Sequence, residues 1–183
     1  IRALTDFLDL KDQPSFPAMV LDMYPSKGMT GEEAYLPGKN PFEIASHFDG
    51  GNYTITRNSL YGNLWIQGGP RARALFADEP VMAPSLNKIP LVKWAWPYAY
   101  ASSTHMLLPR GLNNIYDDFG GERLSGCLLH AKFLSILPKK VSEELERKEH
   151  FADSREYSAY AKALEADVTL CNRWSEKYVN WRQ

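Results

Sequence analysis

The sequence has no long apolar run, few cysteines and no surplus of charge of either sign. No stretch approaches the ~20 apolar residues that a membrane-spanning helix needs, and no signal-peptide pattern opens the chain. No transmembrane segment is therefore expected. The 21 basic residues nearly balance the 22 acidic ones. That argues against nucleic-acid binding driven by bulk charge, because phosphate contacts need a basic excess. Only Cys127 and Cys171 are present, in the apolar contexts SGCLLH and TLCNRW, without CxxC or Cys/His spacing. They read as two buried free thiols in a reducing compartment, with one disulfide left open. A phosphate loop, a G-x-G-x-x-G turn and a G-x-S-x-G elbow are all missing.

What is present fits one domain over residues 1–183, large enough for a real core. The chain begins with Ile1 inside a helical pattern, Ile1, Leu4, Phe7 and Leu8 sharing one face, and reads as a piece of a longer polypeptide. FPAMVLDMY (16–24) reads as a buried strand. Residues 25–41 read as loop, 42–48 as a short helical turn and 50–69 as a hairpin. Pro70 opens a helix over ARALF. NKIPLVKW (87–94) and YAYASSTHMLL (98–108) each read as a strand, and 110–123 as a polar loop. The C-terminal fifty residues read as helical. One helix runs from Pro138 to about His150. A second opens on a capping box of Asp153 and Glu156 and carries an aromatic face from Tyr157 to Trp181. The class is α/β, a mixed sheet followed by two C-terminal helices.

Several places carry candidate chemistry. In LLHAKF, alternation would send His130 and Lys132 the same way. An imidazole can ligate a divalent ion while an ammonium neutralises phosphate. On spacing alone, a core histidine with a snorkelling lysine is the stronger reading. The cluster Ser102-Ser103-Thr104-His105 is equally a sugar-binding group or a polar turn. A serine–histidine hydrolase has the least support. Gly68-Gly69-Pro70-Arg71 with Arg73 would offer an anion a helix start and two arginines, or is an ordinary turn with solvated arginines. Asp22, in an apolar run, must face a ligand or find a structural partner. The pairs Glu32-Glu33 and Asp117-Asp118 read as solvated loop charges. Lys88 reads as an edge-strand lysine with an option on phosphate.

The order LDMYP, GGPRAR, SLNKIPLVKW, YASSTHMLLP, SGCLLHAKFL resembles bacterial family-2-like glycosyltransferases over residues 1 to about 165. The resemblance implies the C-terminal half of a GT-A fold, with an Asp-x-Asp-like metal motif upstream of residue 1. It implies inverting, metal-dependent transfer of a sugar from a nucleotide-diphosphate donor to a glycan or lipid-linked acceptor, with Mn²⁺ or Mg²⁺ as cofactor. By the same resemblance His130 is the late histidine near the donor diphosphate and its metal, and Lys132 the basic residue beside it. Arg71 and Lys88 fall on basic, donor-side positions, and Thr104 and His105 on a Thr-His-x-x-x-Pro-like acceptor segment. No catalytic base is assigned. The implied location is cytoplasmic or peripheral to a membrane, and this fragment alone is expected to be inactive or very weak. The rival is a non-catalytic carbohydrate-binding or interaction domain that stacks sugars on Trp65, Trp94, Trp96, Tyr98 and Tyr100.

Overall fold

The computed structural model describes residues 1–60, 62–113, 123–147 and 151–182, and the backbone alone for 151–155. The Asp117-Asp118 pair, the last turn of the helix expected to reach His150 and the Asp153 half of the capping box lie outside the described residues. The molecule is α/β, with helices and a mixed sheet. Its described residues form two compact units of interleaved sequence: 1–20, 54–66 and 85–128 in the first, and 21–53, 67–84 and 129–183 in the second. No described helix is long and apolar enough to cross a membrane.

The first unit opens with α1 (Arg2–Leu10), which buries Leu8. Strand β1 (Ser15–Asp22) begins here and pairs antiparallel with β5 (Asn87–Val92). Their register slips where Ile89 and Pro90 stand opposite Pro17. Proline has no N–H for the ladder, so a bulge falls where prolines meet. Residues 98–108 form a hairpin and not the single strand expected. Strands β6 (Ala99–Ser102) and β7 (Met106–Leu108) are antiparallel. Ser103 takes the left-handed conformation at φ 47° and the His105 amide bonds the Ser102 carbonyl, which folds the run back on itself. Ile89, Leu107 and Leu112 form the local core. Strands β3 (Tyr53–Arg57) and β4 (Leu64–Gly68) make the expected hairpin.

In the second unit, β2 (His47–Asp49) pairs antiparallel with β9 (Ser175–Lys177). The short helical turn expected at 42–48 is confined to Pro41–Glu43, capped by the Asn40 side chain. Strand β8 (Gly126–His130) completes the sheet order β5-β1-β8, and its last two residues belong to this unit. Helices α2 (Leu137–Arg147) and α3 (Phe151–Glu165) follow. Leu137 and Val141 from α2 meet Tyr157, Tyr160 and Ala163 from α3 around Tyr24, Phe133 and Leu170. Burying each large apolar side chain contributes about 1.5–3 kcal/mol.

Helix α3 stops at Glu165 and does not run to Trp181 as the aromatic spacing predicts. Asp167 sits at φ 45°, its amide bonds the Leu164 carbonyl, and the Val168 amide bonds the Ala163 carbonyl. These two bonds make a Schellman stop. Val168 and Cys171 still pack on the core that α3 helps to build, which explains the persistent apolar spacing. Both cysteines are free, but neither is fully buried: Cys127 is exposed and Cys171 half-buried.

Candidate functional site

The site gathers at the end of β1 in the second unit. The strand delivers Asp22 into the interior, where its side chain is 1% exposed. A carboxylate there needs donors, and Arg71 supplies two. Its Nε donates to Oδ2 at 2.6 Å and its Nη2 to Oδ1 at 2.8 Å. Burial alone would raise the Asp22 carboxyl, but the Arg71 and His130 side chains outweigh it and hold the group well below the usual carboxylate range. Arg71 is likewise raised: burial works against its charge, and Asp22 more than compensates.

The GGPRAR segment aims this arginine. Gly68 lies at φ 141° and Gly69 at φ 60°. A Cβ on Gly68 would stand 2.2 Å from the Asn52 carbonyl oxygen, so only glycine fits this approach. The expected helix after Pro70 is a π turn, Arg71–Leu75, closed by the Phe76 amide on the Arg71 carbonyl at 2.9 Å. It directs Arg71 to Asp22 and Arg73 to a second buried carboxylate, Asp49, which Arg73 clamps through Nε and Nη2, each at 2.8 Å. The Tyr24 hydroxyl also donates to Asp49 and lies 2.8 Å from Ser175 Oγ. Burial and the neighbouring Asp49 raise the Tyr24 phenol far above its ordinary value. Both arginines of the motif are thus matched by carboxylates inside the protein.

His130 ends β8 beside Asp22. Its Nδ1 is 2.8 Å from Asp22 Oδ1 and 3.1 Å from Arg71 Nη2. Unlike Asp22 and Arg71, its side chain is 44% exposed. The Lys132 amide bonds the His130 carbonyl in a tight turn, so the alternation expected of the two side chains ends there. The Lys132 ammonium turns inward to Glu156 Oε1 and the Tyr160 hydroxyl, both at 2.8 Å, and lies 4.0 Å from the Tyr160 ring centre. The Tyr160 hydroxyl donates to the same Glu156 oxygen at 2.5 Å. For Lys132 burial prevails and lowers the ammonium. For Glu156 burial pushes upward, but Lys132 prevails and the carboxyl ends below its ordinary value.

Arg71, His130 and Lys132 are therefore brought into one connected cluster. Lys88, Thr104 and His105 belong to the first unit. There His105 Nδ1 lies 2.7 Å from the Asn87 carbonyl and 3.0 Å from Ser85 Oγ, and the Thr104 carbonyl accepts from the Ile89 amide. Lys88 sits on β5 opposite Ala18. The sequence does not mark Asp49 or Tyr24 as site residues, and it presents Glu156 and Tyr160 only as a helix cap and part of an aromatic helix face. Apart from Tyr160 and Glu156, which bond each other 4 residues apart, their side-chain partners lie 24 to 151 residues away, and no local pattern announces them.

The His130 ring meets Asp22 and Arg71 through Nδ1, which leaves its Nε2 able to meet a ligand. No group of three His, Cys, Asp or Glu side chains suited to a metal occurs among the described residues. Among the described residues the imidazole therefore does not hold a metal alone, and a metal there would need ligands from other molecules or segments. No family model, curated protein or solved structure matches the chain.

Proposed function

We propose that the chain is the C-terminal part of a glycosyltransferase that moves a sugar from a nucleotide diphosphate to a glycan or lipid-linked acceptor. One observation carries this reading. Three segments of the resemblance, LDMYP, GGPRAR and LLHAKF, meet through Asp22, Arg71 and His130, and leave a half-exposed imidazole braced by a buried ion pair. An exposed imidazole with a fixed second shell is the usual form of a histidine that ligates a metal.

In this reading His130 would be one ligand on the donor-diphosphate side, and further ligands would have to come from the diphosphate and the acidic motif that the resemblance implies upstream. A bound Mn²⁺ or Mg²⁺ supplies charge neutralisation as the diphosphate leaves. The acceptor hydroxyl attacks the anomeric carbon, the bond from that carbon to the diphosphate oxygen breaks, and the hydroxyl proton passes to a base that remains unassigned. Arg71 and Lys132 support from behind. They keep Asp22 and Glu156 in place, and their charges are matched before any phosphate arrives.

A second reading has its own observation. Trp96 is 94% exposed, and the exposed Trp94 lies about 6 Å from the rings of both Tyr98 and Tyr100. Such faces stack on sugars, which favours a glycan-binding module. Titration with a nucleoside diphosphate, with and without Mn²⁺, on a protein extended upstream separates the two. Mn²⁺-dependent binding that weakens about 10–100-fold or more in His130→Ala supports transfer. Glycan binding indifferent to nucleotide and metal refutes it and favours the module.

A further inference from the structure

Nδ1 of His130 faces two groups with opposite demands. Asp22 Oδ1, at 2.8 Å, belongs to a carboxylate that takes a donor from Arg71 on each oxygen and can only accept. Arg71 Nη2, at 3.1 Å, can only donate. A bare Nδ1 would satisfy Arg71 but set its lone pair against a carboxylate oxygen. A protonated Nδ1 gives Asp22 a charge-assisted hydrogen bond. It forfeits only the longer Arg71 contact, and the guanidinium keeps both of its bonds to Asp22. The carboxylate cannot turn to relieve the conflict, because Arg71 holds both oxygens and the side chain is 1% exposed.

We propose that Asp22, locked by Arg71, is a positioning residue that fixes neutral His130 as the Nδ1–H tautomer. Its Nε2 lone pair then faces outward. The ring so held meets an electron-pair acceptor, a divalent cation or the proton of a hydroxyl, and offers no N–H to a phosphate oxygen. This narrows the ligand class of the site. The tautomer stands on geometry alone; its use on a metal or an acceptor hydroxyl rests on the transferase reading.

The experiment is two-bond ¹H–¹⁵N correlation on the full chain labelled with ¹⁵N-histidine, at alkaline pH. The expected result is a protonated Nδ1 and a bare Nε2 at His130. In Asp22→Leu/Arg71→Met, where an apolar pair of similar volume replaces the ion pair, the ring should revert to the Nε2–H form that free imidazole side chains prefer. Unmoved His47 and His105 signals show that the fold is retained. An Nε2–H ring in the wild type, or an Nδ1–H ring that persists in the double variant, overturns the proposal. Should the wild type show Nδ1–H while nucleoside diphosphate with Mn²⁺ fails to bind the protein extended upstream, the tautomer stands and the transferase reading falls.

Discussion

Arg71→Met tests whether the Asp22–Arg71 pair is the structural pivot of the second unit. The methionine fills much the same space but removes both donors from Asp22, leaving a carboxylate 1% exposed with the His130 imidazole as its remaining partner in the cluster. Removing one member of a buried ion pair destabilises by about 3–5 kcal/mol, mostly as the penalty of the stranded charge. Domains of this size have about 5–15 kcal/mol in total. With an m-value of about 2 kcal/mol/M, the urea midpoint should fall by roughly 2 M. Far-UV circular dichroism suits the measurement, since α2 and α3 lie in this unit. Asp22→Leu should behave similarly, because it strands a buried guanidinium. The double variant Asp22→Leu/Arg71→Met should recover most of the loss, since an apolar pair often replaces a buried ion pair at no net cost. The reasoning fails if either single variant loses less than about 1 kcal/mol, or if the double variant loses the sum of the singles.

Acid should act on the same pair. Asp22 and Glu156 both titrate below their ordinary range in the folded state. The unfolded chain therefore takes up protons first as pH falls, and stability is complete above about pH 4–5 and declines at more acid values; thermal melts from pH 7 to 2 should show this, with a smaller slope in Arg71→Met. Gly68→Ala forces a Cβ to within 2.2 Å of the Asn52 carbonyl at a φ of 141°, and should lower stability by about 1–3 kcal/mol in urea titrations. Asp167→Gly relieves the left-handed backbone that ends α3, and should raise stability by roughly 1 kcal/mol, read as a higher melting temperature.

The legible parts of the fold are those whose signal is local. Helix α1 and strand β1 follow from the apolar periodicity of residues that are neighbours in sequence, and α2 from its proline start. The misread parts are turns made by residues with no strong preference for them. Ser103 and Asp167 both take the left-handed conformation that glycine usually announces. A hairpin at 98–108 and the end of α3 were therefore hidden inside continuous apolar patterns. The spacing continued past Asp167 because the chain beyond it still packs on the same core, so periodicity reported burial correctly and helix wrongly.

The site divides along the same line. Asp22 drew notice because a carboxylate inside an apolar strand must face a ligand or find a structural partner, and that demand is visible in sequence. Its partners are not, since Arg71 lies 49 residues away and His130 lies 108. Read singly, Arg71, Arg73 and Lys132 are either cations for a phosphate or solvated and snorkelling side chains. In the folded chain each already holds a carboxylate, the buried Asp22 and Asp49 and the half-buried Glu156 respectively. That exchange changes the chemistry to be expected. A site whose cations are matched from within does not attract anions by its net charge. What it offers is a rigid frame around the exposed ring of His130. On the transferase reading, recognition there would depend on one nitrogen and its direction, and the carboxylate behind the ring becomes as telling a position to mutate as the histidine itself.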